Sequence, residues 1–77
     1  MTKKEFRESQ EYADMMKKVK SYPAGFEFSI PYYKMRQEQK NAMYVFTQDC
    51  IKAGLLQSMS MDLSLTGEIT SEKFKKI

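Results

Sequence analysis

Residues 31–56, PYYKMRQEQKNAMYVFTQDCIKAGLL, decide how this chain folds. At 100° per residue, Met35, Ala42, Met43, Phe46, Cys50 and Ala53 fall within roughly a third of the helical circle, the apolar width of a helix that faces a core. Gln39 is the one polar residue in that arc. The stretch therefore reads as the central helix of a small α+β domain. Pro31 suits a first helical position, since its missing N–H would have no helical partner there. The polar run from Gln37 to Asn41 leaves two possibilities open. Either the helix is continuous, or a turn there divides a short helix from a longer one that begins near Lys40, giving a helix-turn-helix outline.

The far side of this helix carries Lys34, Gln37, Asn41, Tyr44, Gln48 and Lys52, which project within roughly 80° of one another. No acidic residue interrupts the stripe, although Glu38 and Asp49 flank it. Amides, a phenol and ammonium groups are donors and acceptors able to reach base edges and phosphates. Such a stripe is either a solvated helix face or a contact surface for nucleic acid or protein.

Toward the N-terminus, Thr2-Lys3-Lys4-Glu5 has capping-box spacing and predicts a helix running to about Lys20. Phe6, Tyr12, Ala13, Met15, Met16 and Val19 share its broad apolar side. Lys17, Lys18 and Lys20 near its end complement the helix dipole. Tyr22-Pro23-Ala24-Gly25 stops it. Phe26, Phe28 and Ile30 then alternate with Glu27 and Ser29, the period of a half-buried strand.

Toward the C-terminus, Gly54 can end the central helix in a left-handed cap. Met59, Met61, Leu63 and Leu65 alternate with Ser58, Ser60, Asp62, Ser64 and Thr66, the plainest strand pattern in the chain. Thr66-Gly67 predicts the turn of a hairpin that returns briefly over residues 68–70. Phe74 and Ile77 would share a face in a helix and oppose each other in a strand. A short helical turn capped by Thr70 or Ser71 is the expectation.

Seventy-seven residues make a single domain, 1–77, with a small core; a chain of this size buries only about 60% of the surface its unfolded form exposes. The net charge of +3 is thinly spread, with six basic residues against four acidic up to Gly25, four against three to Gly54, and three against three beyond. Non-specific polyanion binding is not indicated. The chain has no histidine and one cysteine, Cys50 on the apolar arc, so no internal disulfide forms and a zinc site lacks soft ligands. The isolated glycines form no phosphate-cradling loop. The serines at 58, 60 and 64 have no histidine or placed lysine, and Asp62, Glu68 and Glu72 are too sparse for a calcium loop. No catalytic residue, metal site or cofactor is expected. Without a signal peptide or apolar run, the protein reads as cytoplasmic, with no membrane association.

Seven methionines suit irregular packing or adaptable surfaces. Met35, Met43, Met59 and Met61 are expected in the core. On the first helix, Tyr12, Met15, Met16 and Val19 offer an alternative interface for a protein partner or a second copy of the chain.

Residues 49–56, DCIKAGLL, are similar to the passage from recognition helix into wing in winged-helix proteins, with the hairpin at Met59 to Gly67 standing as the wing. The resemblance implies that the 34/37/41/44/48/52 stripe would enter the major groove of double-stranded DNA. The Ser64-Leu65-Thr66-Gly67 tip lacks that family's basic residues, and the helix ahead of the recognition helix is short or missing. The segments AGFEFSI (24–30), DCIKAGLL (49–56) and TGEITSEKF (66–74) also resemble small uncharacterised proteins carried by conjugative elements and prophages of Gram-positive bacteria. That likeness implies a cytosolic accessory protein of a mobile element and supplies no binding residues.

The expected fold is thus an N-terminal helix, a strand, the central helix, a β-hairpin and a short C-terminal helical turn, winged-helix-like in outline. Its sheet would pack through Phe26, Phe28, Ile30, Met59, Met61 and Leu63. The expected function is non-enzymatic DNA binding in an accessory or regulatory protein, the alternative being a small dimeric adaptor or inhibitor of a host protein.

Overall fold

Thr2 and Glu5 form the predicted capping box in a computed structural model that describes residues 2–77. The Thr2 hydroxyl accepts from the Glu5 N–H at 3.1 Å, and the Glu5 carboxylate accepts from the Thr2 N–H at 3.1 Å. These bonds hold the Glu5 carboxyl below the ordinary range, because they favour its charged form.

The helix so begun does not continue to Lys20. It is divided into α1 (Lys3–Arg7) and α2 (Gln10–Ser21). Ser9 is the reason: its hydroxyl donates to the Phe6 carbonyl at 2.6 Å and accepts from the Tyr12 N–H at 3.2 Å, ending one helix while capping the next. The break sets Phe6 edge-on to Tyr12, with ring centroids 5.3 Å apart, and Tyr12 in turn edge-on to Phe46 at 5.6 Å. Such pairs stabilise by about 0.5–1.5 kcal/mol beyond area burial.

After β1 (Glu27–Ile30), Pro31 precedes a single 3-10 turn at Tyr32–Lys34 that buries Tyr32. The central helix α3 spans Gln37–Lys52. Residues 37–41 are therefore helical, and the chain bends earlier, at Met35 and Arg36. The Arg36 N–H donates to the Gln39 side chain at 3.1 Å, which pins the start. At the other end Gly54 adopts φ +74°, and the Leu55 N–H reaches back to the Cys50 carbonyl at 2.9 Å, closing the helix as its sequence predicts.

The strands β2 (Leu56–Leu63) and β3 (Ile69–Lys76) form the hairpin, with Gly67 at φ +87° in the turn. The sheet is antiparallel in the order β1-β3-β2. The C-terminal segment is thus a full central strand, not a helical turn. Phe28 lies opposite Phe74 and Ile30 opposite Glu72, so β3 completes ladders on both sides that a helix would leave open. Phe74 is fully buried, while Ile77, just past the strand, is exposed.

The fold is α+β, with three α-helices and a three-stranded antiparallel sheet. Its core comprises Phe6, Val19, Ile30, Tyr32, Val45, Phe46, Cys50, Leu56 and Phe74. Of the expected α3 arc, Phe46 and Cys50 are buried, Met35, Ala42 and Met43 half-buried, and Ala53 exposed. Burial lifts the Cys50 thiol to about 11, which makes it an inert small hydrophobe.

The expected sheet packing is corrected on four residues: Phe26, Met59, Met61 and Leu63 are 40%, 45%, 53% and 62% exposed. On β2 the pairing explains it. Met59 is the extra residue where the register slips between Ser58 and Ser60. β1 pairs only with residues 72–75 of β3, so from Met61, opposite Glu72, the hairpin runs on as a two-stranded arm. Phe26, 40% exposed, caps the margin of the sheet against Tyr22 with ring centroids 4.5 Å apart.

Candidate nucleic-acid interface

Five members of the polar stripe, Gln37, Asn41, Tyr44, Gln48 and Lys52, lie along α3, while Lys34 sits on the 3-10 turn before it. Gln37, Asn41, Tyr44, Lys52 and Lys34 are exposed and Gln48 is half-buried. Tyr44, 57% exposed, is the only large aromatic on the exposed side of α3. The helix stays in register with these side chains because Val45, Phe46, Thr47 and Cys50 are buried on its other faces. A 16-residue helix is about 24 Å long.

The polar groups are partly preorganised. The Gln37 amide donates to the Asn41 side chain at 2.9 Å, one turn apart. Lys34 holds its ammonium 5.7 Å from the centre of the Tyr33 ring, a cation–π contact beside the start of α3.

Asp49, one of the two acids flanking the stripe, is turned to other work. Arg7 of α1 grips it through two nitrogens, each 2.9 Å from a carboxylate oxygen. The Tyr12 hydroxyl donates to the same carboxylate at 2.7 Å. The Arg7 hydrogen bonds hold the Asp49 carboxyl below the usual range, and Tyr12 is pushed up to about 12 by burial and by the neighbouring carboxylate. With that charge answered from α1, Glu38 is the remaining acid beside the stripe, against Lys34, Arg36, Lys40 and Lys52.

The alternative interface residues are divided between the core and two depressions. Val19 is buried, and Tyr12, Met15 and Met16 are half-buried against the core. Met15 lines a groove of about 810 Å³ between the N-terminal helices and α3, whose walls include Phe6, Met35, Met43 and Val45. Met16 lies instead with Tyr12 and Lys20 in a separate, shallower depression.

One polar cluster was not legible in the sequence. Glu72 on β3 is only 6% exposed. It accepts from the Tyr32 hydroxyl at 3.2 Å and from the Ser58 hydroxyl at 2.6 Å. Burial, followed by the adjacent Glu72 charge, pushes Tyr32 up to about 12. Hydroxyl donors satisfy a buried carboxylate here without a cation, and they tie the 3-10 turn, β2 and β3 together across the start of the free arm. Glu72 stands two residues from Phe74, so reading residues 69–76 as a strand would have found it.

Among the described residues no three His, Cys, Asp or Glu side chains gather to hold a metal ion, and no helix is long and apolar enough to cross a membrane. No protein-family model matches the chain, and no curated protein or solved structure matches it.

Proposed function

We propose that this chain is a non-enzymatic DNA-binding accessory or regulatory protein, winged-helix-like, that reads double-stranded DNA with the exposed polar face of α3. One observation carries the reading: Gln37, Asn41, Tyr44 and Lys52 stand exposed along one side of α3, with half-buried Gln48 among them and no acidic residue between them, on a helix anchored in the core by Val45, Phe46, Thr47 and Cys50. The hairpin that follows α3 directly supports the winged outline. Two departures shape the expected mode of binding. The element ahead of α3 is a single 3-10 turn, and the hairpin tip has no basic residue, so phosphate contact falls to Lys34, Arg36, Lys40 and Lys52. The likeness to mobile-element proteins noted from the sequence supports an accessory role in such an element.

The test is a titration of labelled duplex DNA at 50 and 200 mM salt, beside a Gln48→Ala/Lys52→Ala variant. Two to four phosphate contacts from these cations would lower affinity about ten- to 150-fold across that salt range. The variant should lose most of the binding while keeping its fold, since neither side chain is in the core. No binding at low salt, or equal binding by the variant, refutes the proposal.

A further inference from the structure

The helix α1 is only five residues long, yet it is fixed at both ends, by the Thr2–Glu5 capping box and by Ser9. What it delivers to the rest of the molecule is Arg7. The Arg7 Nε donates to Asp49 Oδ2 and a second guanidinium nitrogen donates to Oδ1, both at 2.9 Å. From α2 the Tyr12 hydroxyl donates to Oδ2 at 2.7 Å, and its ring is held edge-on by Phe6 and Phe46. Three donors from two elements thus occupy both oxygens of one carboxylate on α3, in the forked geometry that makes an arginine–carboxylate pair strong.

Without these donors Asp49 would have another partner close by. Lys52 lies three residues on, about 60° around the helix, and an acid that precedes a base at this spacing attracts it. Lys52 is exposed, and among the described residues it forms no ion pair; the acid beside it is paired with Arg7 instead. The Arg7 hydrogen bonds do most to hold the Asp49 carboxyl below its usual range, and the Lys52 charge contributes least.

We propose that Arg7 is a positioning residue for the α3 site: by occupying Asp49 it keeps the Lys52 ammonium free for phosphate. The inference rests on the reading of α3 as a DNA-contacting helix, and it gives α1 a part in binding although α1 lies outside the polar row. An ammonium already held by a carboxylate must give up that pair before it can displace a counterion from DNA. A clamp that merely ties α1 to α3 would need both of its partners, whereas the role assigned to Arg7 requires only that Asp49 be answered or absent. Removing the partners singly and together separates the two.

The experiment titrates labelled duplex DNA at 50 and 200 mM salt with the wild type, Arg7→Gln, Asp49→Asn and the Arg7→Gln/Asp49→Asn double variant. Loss of one phosphate contact lowers affinity about tenfold at the lower salt and reduces the slope of log affinity against log salt by about 0.9. That is the result expected for Arg7→Gln. The double variant should recover the wild-type affinity and slope, and Asp49→Asn alone should bind no more weakly than the wild type. Without DNA, the ε-methylene resonances of Lys52 should move in Arg7→Gln and return in the double variant. Circular dichroism should report the same fold throughout, since neither Arg7 nor Asp49 belongs to the core. A wild-type slope in Arg7→Gln overturns the proposal. So does a double variant as weak as Arg7→Gln, which would mean that the clamp is structural or that Arg7 itself touches phosphate. If the wild type binds no duplex at either salt, the α3 reading falls first, and the Lys52 resonances still decide whether Arg7 keeps Asp49 from Lys52: no movement in Arg7→Gln means that it does not.

Discussion

The two ends of the β2–β3 hairpin are made of similar material and live in different surroundings. At the base, Leu56 and Phe74 are 1% and 0% exposed beneath the helices. At the far end, Leu63 and Ile69 lie opposite each other in the same ladder and remain open. Hydropathy does not separate them. What separates them is whether a neighbour lies beside them: β1 is four residues long and pairs only with residues 72–75 of β3. An alternating pattern specifies a face, and the rest of the molecule specifies whether that face is buried.

The contrast can be broken most severely at the base. Phe74→Ala should cost about 3–5 kcal/mol by removing a fully buried ring. In a domain of this size, stable by roughly 4–12 kcal/mol, chemical denaturation should show a large loss of stability or no folded baseline at all. An intermediate effect belongs at the boundary. Ser58→Ala removes the shorter of the two hydrogen bonds to the buried Glu72 carboxylate and should cost about 1–3 kcal/mol. If Ser58→Ala proved neutral in thermal melts, the Glu72 cluster would not be what fastens the arm to the body. Smallest is Leu63→Ala, which should change stability by less than about 0.5 kcal/mol, as expected for an exposed position. A larger loss there would mean that Leu63 is covered, and the comparison between the two ends would fail.

The errors of sequence reasoning have identifiable causes. Residues 71–77 offered Phe74 and Ile77 at a spacing compatible with a helical face, and three lysines that any exposed element could carry. Nothing local distinguishes that from a strand with Phe74 inward and Ile77 outward. The distinction comes from Phe28 and Ser58, distant in sequence, which lie opposite Phe74 on its two sides. Asp49 was legible only as an acid beside the stripe, because its partner Arg7 is 42 residues away. The division of the N-terminal helix was encoded locally in Ser9, but a serine within an apolar-periodic segment is compatible with helix as well as with a cap.

What the sequence determined by itself is whatever rests on neighbouring residues. That covers the Thr2–Glu5 capping box, the closure of α3 at Gly54, the turn at Gly67, the alternation of β1, and the exposed row on α3 opposite its buried side. These follow from backbone sterics, short-range hydrogen bonds and helical periodicity, which act over a few residues. The tertiary structure alone decided the strand at the C-terminus, the bulge that shifts β2, the burial of Glu72 between Tyr32 and Ser58, and the exposure of Met61 and Leu63. Each depends on which distant segment lies across the sheet, and burial is a property of that pair rather than of either strand.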